Sequence, residues 1–279
     1  GVYYLLEINL GRDPYPEGKR VVVVGGGNVA IDCVRSSYRI GKPDVNLVYR
    51  RTKKEMPADR VEIHDAEEEG VKFHYLCNPV RIIEKDGKVT GMECIRMELG
   101  EPDESGRRRP VPIKGSEFFI EADIVIPAIG QAIDLSFLEE KDGVKTTKRS
   151  TVAVQEGTFQ TNREGIFSGG DCVIGPDVLV RAGVHGKRAA DKIDAYLQGK
   201  ELKESEDERL ETLIEKIKVY SKDEKIGNPG GQKRAMLELL PPDSRKWIFD
   251  EVEKGFSIPV AQKEAERCLR CVRVGLFAV

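Results

Sequence analysis

Apolar residues in this chain come in short unbroken runs that alternate with stretches of helical period. Residues 21–24 are four valines, and after three glycines Ile31, Val34 and Ile40 recur at roughly helical spacing until Gly41 closes the stretch. That order predicts a strand, a glycine turn and a helix. The run 45–49 predicts a second strand, 59–69 an acidic helix ending at Gly70, and 71–76 a third strand. Residues 81–84 and 89–94 flank Asp86-Gly87, a pair that tolerates positive φ, and so predict a hairpin. The segment 101–114, dense in charge and proline, reads as an exposed loop or an extension of that hairpin.

Further along, 118–120 and 124–129 are apolar, 151–154 and 166–168 read as strands about a turn at 161–165, and 178–197 reads as a helix. The opening stretch, 2–18, reads as a short strand and a polar linker. Ser205 to Glu208 has capping-box spacing, and Leu210, Leu213, Ile214 and Ile217 follow on one helix face. A glycine-rich loop at 228–232 then leads to expected helices near 234–240 and 244–254, with Trp247, Ile248 and Val252 packed on the body or a partner. A last helix begins near Ser257, with Pro259 in its first turn.

The 279 residues, 39% hydrophobic with a formal net charge of −3, suffice for one large or two ordinary domains with a real core. Charge balance and an acidic pI argue against a nucleic-acid binder. No apolar run reaches the roughly 18 residues of a membrane span, and no signal-peptide pattern is present. A cytoplasmic protein with no membrane partner is expected. Cys33, Cys77, Cys94, Cys172, Cys268 and Cys271 are scattered except for the last two, unlike a secreted disulfide framework.

The chemistry starts at Gly25-Gly26-Gly27-Asn28-Val29-Ala30. A turn of this kind between strand and helix cradles a dinucleotide pyrophosphate: Gly25 permits the bend, Gly27 lets the phosphates approach the backbone, and Ala30 lets the helix pack closely. The second strand ends in Arg50-Arg51, where an NAD-type site carries a carboxylate for the ribose hydroxyl. Two guanidiniums suit a 2′-phosphate instead, so the expected coenzyme is NADP(H). Ala128-Ile129-Gly130 closes an apolar run with small residues where a chain can pass close to a nucleotide. Gly169-Gly170-Asp171 follows a strand, and the Asp171 carboxylate can accept from a ribityl or ribose hydroxyl, or cap a turn. The helix after Gly175-Pro176-Asp177 could aim its first amides at the pyrimidine end of a flavin.

Taken together, residues 19–32, Val48-Tyr49-Arg50-Arg51, Glu55-Met56-Pro57-Ala58, residues 98–110, Ala128-Ile129-Gly130-Gln131 and Phe167-Ser168-Gly169-Gly170-Asp171 resemble the glutamate synthase small-subunit family of FAD-dependent NADPH oxidoreductases. That family includes the NADPH-binding regions of dihydropyrimidine dehydrogenase and of electron-bifurcating ferredoxin:NADP transhydrogenase large subunits. The resemblance, over about residues 1–199, implies an α/β Rossmann-like fold of the two-dinucleotide-binding-domain flavoprotein type, with part of the FAD domain and a helical C-terminal tail. The expected divisions are 1–19 (linker and strand), 20–125 (NADP(H) domain), 126–200 (C-terminal half of the FAD domain) and 201–279 (tail). Gly25, Gly27, Asn28, Val29 and Ala30 would hold the NADPH pyrophosphate and Arg50 and Arg51 its 2′-phosphate. Gly170, Asp171 and Val178 would contact FAD, with Ala128, Ile129 and Gly130 passing near the nucleotides. Hydride transfer between the two cofactors needs no acid or base, so no catalytic side chain is expected.

Family members carry an N-terminal FAD half-domain with its own glycine fingerprint, and nothing before Val21 supplies it. Either a longer polypeptide or a separate subunit is expected to complete the site. Cys268 and Cys271, three apart on one helix face, can reach one metal or cluster but supply only half the ligands of an iron–sulfur or zinc site. Relatives carry a similar ending that leads toward ferredoxin-like motifs, which implies an iron–sulfur cluster completed by residues outside this chain and an iron–sulfur or ferredoxin-like partner. A free thiol pair fits the same spacing. The expected function is a module passing hydride between NADPH and FAD and electrons onward to iron–sulfur centres. A non-catalytic nucleotide-binding or assembly subunit of a larger redox complex is the alternative. His64, His74 and His185 lack ligand spacing and read as surface or packing residues.

Overall fold

The computed structural model describes residues 1–102, 106–204, 208–210, 213 and 233–266. Gly1–Ile129 together with Gly227–Val279 make one compact unit and Gly130–Ile226 a second.

In the first unit, helix α1 (Val2–Asn9) precedes strand β1 (Arg20–Val24), helix α2 (Asn28–Arg39), strand β2 (Asp44–Tyr49), helix α3 (Arg60–Glu68) and strand β3 (Lys72–Tyr75). An antiparallel sheet of β4 (Cys77–Lys85), β5 (Lys88–Pro102) and β6 (Arg108–Glu121) follows, before the chain returns as β7 (Ile124–Pro127). The parallel sheet has the order β3-β2-β1-β7, with Val21 beside Val45 on one side and Ile124 on the other. Strand order reverses between β1 and β7, and the carboxyl ends of β1, β2 and β7 therefore border the crevice where such folds bind nucleotides.

The unbroken valines of β1 have a simple physical cause. Val21 and Val23 pack with Ile31, Val34 and Ile63 under the helices, while Val22 faces Met92, Cys94 and Ile120 of the antiparallel sheet. A strand covered on both faces has no polar side to alternate with. The 101–114 segment is a hairpin extension, since Pro102 pairs with Arg108 and Leu99 with Pro110.

Three sequence expectations are corrected. Residues 2–9 are a helix, not a strand: Tyr4 and Ile8, four apart, are buried on one face, and the Tyr4 hydroxyl and Ser37 Oγ hydrogen-bond at 3.0 Å. The run VYYLL has the β-prone composition of a strand, and tertiary packing decides against it. Residues 234–240 are extended, not helical. Leu240 N–H donates to Val252 O at 3.0 Å and Lys254 N–H to Glu238 O at 2.9 Å, and Pro241-Pro242 block helix continuation. The expected helix at 244–254 shrinks to a single turn at Pro242–Arg245, because the chain must turn back to make that pairing.

In the second unit, residues 151–154 and 166–168 make single bridges, Thr146 with Val152, Val154 with Thr161 and Gln160 with Phe167, in place of extended ladders. The short helix α4 (Asp171–Ile174) and the long α5 (Leu179–Leu197) follow. Lys192 on α5 is buried against Glu208 at 2.7 Å.

The tail returns to the first unit as α6 (Pro242–Arg245) and ends its described part in α7 (Ile258–Glu266). Arg245 is 1% exposed and donates to Glu69 at 3.1 Å and Glu68 at 2.9 Å, with Asp65 at 3.4 Å. Trp247 meets Tyr38 edge-on at 5.7 Å. The expected helix from 205 onward, the loop at 228–232 and the pair Cys268 and Cys271 lie outside the described residues, save short stretches of the first.

Candidate dinucleotide and flavin site

At the end of β1 the three glycines have three different jobs. Gly25 has φ +148, and a Cβ there would meet the Ala128 carbonyl oxygen at 2.2 Å, so any side chain would push β1 away from β7. A Cβ on Gly26 would strike the Tyr49 ring at 2.5 Å. Gly27 alone faces open space. It is the N-cap of α2, and no side chain caps that helix, which leaves the first amides and the positive end of the helix dipole available to an anion. Ala30 is fully buried, as close packing of α2 on the sheet requires.

The turn is held from outside by residues 55–59. Ala58 N–H donates to the Gly26 carbonyl at 3.1 Å and Asp59 N–H to Asn28 Oδ1 at 3.0 Å. The Tyr49 hydroxyl donates to the Glu55 carbonyl at 2.8 Å, while Thr52 and Glu55 close a capping box between β2 and this segment. Asn28 thus ties α2 to the start of α3, a role its sequence position did not disclose. Val29, partly buried, packs against the helical core.

The two arginines after β2 part company. Arg50 is exposed, whereas Arg51 is 3% exposed and donates through Nε to the Arg108 carbonyl at 2.7 Å. The Arg51 carbonyl in turn accepts from Leu76 N–H at 3.1 Å. Arg51 therefore also fastens the β5–β6 hairpin to the parallel sheet. Ala128 sits directly over Gly25, with its N–H bonded to the Val24 carbonyl at 2.7 Å; Ile129 is 77% exposed and Gly130 takes φ +102.

The second unit holds a cavity of about 510 Å³ lined in part by Gly169, Gly170, Asp171, Asp177, Ala182 and His185. Gly170 has φ +60 and ψ −148, a conformation restricted to glycine. Its N–H donates to His185 Nδ1 at 3.1 Å. Ala182, Gly186 and Ala189, spaced i, i+4, i+7 on α5, put only small residues on that wall. Val178 is the N-cap of α5 and 61% exposed; its neighbours Asp177 and Leu179 line the cavity. Burial, reinforced by Arg188 and Arg181, holds the His185 imidazole below its ordinary value, with Asp177 opposing.

Cys33, Cys77, Cys94 and Cys172 are free, and burial pushes the Cys33 and Cys94 thiols up to about 12. These two are packing residues, far from the thiolate state that redox exchange requires. Among the described residues no group of three or more His, Cys, Asp or Glu could hold a metal ion, and no helix is long and apolar enough to cross a membrane.

A parallel sheet with a bare helix N-terminus at its switch point, followed by a glycine-lined cavity in a second unit, defines a dinucleotide-binding protein of the flavoprotein type. The chain belongs to the pyridine nucleotide-disulphide oxidoreductase family, whose model matches residues 6–190, a family that binds FAD and NAD(P). It is 48% identical over its whole length to the NADP(+)-dependent formate dehydrogenase subunit beta of Moorella thermoacetica. Over 65% of its length it is 43% identical to the glutamate synthase [NADPH] small chain of Escherichia coli, in line with the resemblance noted from the motifs. The chain spans 39% of each of these relatives. The fold resembles Lactococcus lactis thioredoxin reductase, with TM-score 0.52 and 20% identity over 64% of this chain and 53% of that one.

Proposed function

We propose that this chain is the NADPH-binding unit and part of the FAD-binding unit of a flavin-dependent NADPH oxidoreductase that sends electrons onward to iron–sulfur centres. The observation that carries the reading is Gly27: a helix N-cap facing open space, on a glycine turn whose other two members cannot bear a side chain. Gly27, Asn28, Val29 and Ala30 would seat the pyrophosphate, and Arg50, exposed at the end of β2, would take the 2′-phosphate with Arg51 behind it. Ala128, Ile129 and Gly130 would pass beside the nucleotides. In the second unit Gly170, Asp171 and Val178 would contact FAD, and the cavity between the glycine turn and α5 has the size and small-residue wall for part of it. The two cofactors supply hydride chemistry when bound; the residues of this chain bind, orient and exclude water.

The relatives support the reading, since the formate dehydrogenase subunit is NADP(+)-dependent and the glutamate synthase chain is an NADPH enzyme by name. The match to the formate dehydrogenase subunit runs through the tail that bears Cys268 and Cys271, whereas the glutamate synthase match covers 65% of the chain. We place one edge of a cluster at that cysteine pair, completed by a partner domain or subunit. The remaining FAD half-domain is likewise assigned to other residues of the same polypeptide or to a partner. The test is optical: the complete purified protein should carry flavin absorbance that bleaches faster with NADPH than with NADH. A complete protein that binds NADPH yet contains no flavin refutes the assignment.

A further inference from the structure

His185 joins two parts of the second unit that are 15 residues apart, α5 and the glycine turn at Gly169-Gly170. The bond at 3.1 Å runs from Gly170 N–H to Nδ1, so Nδ1 must be the unprotonated nitrogen and the proton of the neutral ring sits on Nε2. The ring is held on other sides as well. Phe159 meets it edge-on at 5.1 Å, and a Cβ on Gly169 would lie 3.2 Å from the His185 Cβ. Both the turn and the imidazole line the cavity.

We propose that His185 is a positioning residue for the flavin: by accepting the Gly170 N–H it fixes the glycine turn that walls the cavity, and its protonation frees that turn and weakens flavin retention. The proposal rests on the reading that FAD enters this cavity. A protonated ring would set an N–H of Nδ1 against the Gly170 N–H, replacing a hydrogen bond with two opposed donors. Gly170 holds φ +60 without a Cβ, so once the bond is lost nothing intrinsic to the residue keeps that conformation.

The charged groups facing the ring are Arg181 and Arg188 on α5 and Asp177 in the loop before it, with Asp171 beyond the turn on the cavity wall. Burial and the two arginines outweigh Asp177 and hold the folded-state value below 6.5. The sign follows directly. The neutral ring's contribution is complete above the ordinary histidine value and is lost as pH falls from there toward the depressed one. Flavin retention should therefore be constant in mild alkali and decline in mild acid.

The experiment measures FAD affinity of the complete protein at about pH 8 and about pH 5.5, by recovery of free-flavin fluorescence, for wild type, His185→Leu and His185→Asn. The wild type should lose affinity over that range, by less than the tenfold that complete loss of one hydrogen bond would give, because a ring held below its ordinary value is only partly protonated at the acid end. His185→Leu should be about tenfold weaker at pH 8 and insensitive to pH. His185→Asn, whose amide oxygen can replace Nδ1 without titrating, should match wild type at pH 8 and keep that affinity in acid. The far-UV circular dichroism and the melting curve of the complete protein, measured in parallel, should be unchanged in all three, which shows that the variants fold. Should His185→Leu fail to fold, the pH profile of His185→Asn decides. A leucine variant that holds FAD like wild type, or an asparagine variant that keeps the wild-type pH slope, overturns the role of His185 alone. A wild type that binds NADPH and no FAD overturns the flavin reading together with it.

Discussion

Helix α2 follows the glycine turn of the first unit and α5 is the long helix of the second, yet the two are buried very differently. Of the 12 residues of α2, six are buried, among them Ile31, Val34 and Tyr38; of the 19 residues of α5, Lys192 is the one in that class. Leu179, Val180 and Leu197 are 87%, 74% and 76% exposed, and the β-bridges of the second unit are isolated. Helix α2 buries its apolar face within the chain. Helix α5 does not, and its exposed apolar side chains offer a face that can be covered. In the proposed function that cover is the rest of the FAD fold and the flavin itself. The comparison teaches that the two nucleotide sites depend on the surrounding protein to different degrees: the NADPH site should be autonomous and the flavin site conditional.

The first way to test this comparison is to undo the ion pairs that fasten the tail to α3 in the first unit. Arg245, with its side chain 2% exposed, neutralises Glu69, itself fully buried, together with Asp65 and Glu68, while Arg35 reaches Glu69 at 2.9 Å from α2. Arg245→Met removes one cation from this cluster while Glu69 keeps Arg35 and Arg39, and should cost about 1–3 kcal/mol, seen as a fall in the melting transition of the first unit. A melt unchanged by this substitution would show that the tail adds nothing to that unit.

The glycine turn sharpens the contrast between stability and binding. Gly25→Ala combines a positive φ with overlap on the Ala128 carbonyl and should destabilise the fold by about 1–3 kcal/mol or more as well as abolish NADPH binding. Gly27→Ala, at φ −91 and with open space around it, should leave the melt within about 0.5 kcal/mol of wild type while still weakening NADPH, because the new methyl lies where phosphate must approach. Equal effects in the two variants, measured by calorimetry and titration, would remove the distinct role given to Gly27.

The smallest effect concerns acid stability of the first unit. Hydrogen bonds from Arg20, first among the causes, with the Lys19 and Arg20 amides, hold the Asp123 carboxyl down at about 2. A carboxyl lowered in the fold contributes stability above its ordinary range that is lost as pH falls through the depressed value, here between about 4 and 2. The pair is partly exposed, so the effect is modest, and Asp123→Asn should flatten this part of the acid unfolding curve.

How far the sequence alone reached follows from where local rules and packing agree. The valine run, the glycine turn, the acidic helix with its Asp59 cap and the Asp86-Gly87 hairpin were legible because period, cap and turn residues point the same way. The stretch 2–9 was misread because its composition favours a strand while Tyr4 and Ile8 find a helical docking site on α2. The extended course of 234–240 was hidden because its partner, 252–254, has no strand signature and pairing of this kind is set by tertiary contact. At the site, the residue types announced a dinucleotide, but not that Arg51 would be buried under Arg108 or that His185 would reach back to Gly170. Both are long-range contacts, and no spacing rule encodes them.

The division of labour between the two arginines gives the most direct measurement. Titrating the protein calorimetrically with NADPH and with NADH, for wild type and Arg50→Ala, should show wild type favouring NADPH by about tenfold to a hundredfold, as a charge-assisted contact to phosphate supplies, and the variant losing most of that preference with little change in NADH affinity. A wild-type protein that binds the two coenzymes equally, or an Arg50→Ala variant that keeps the full preference, would contradict the account.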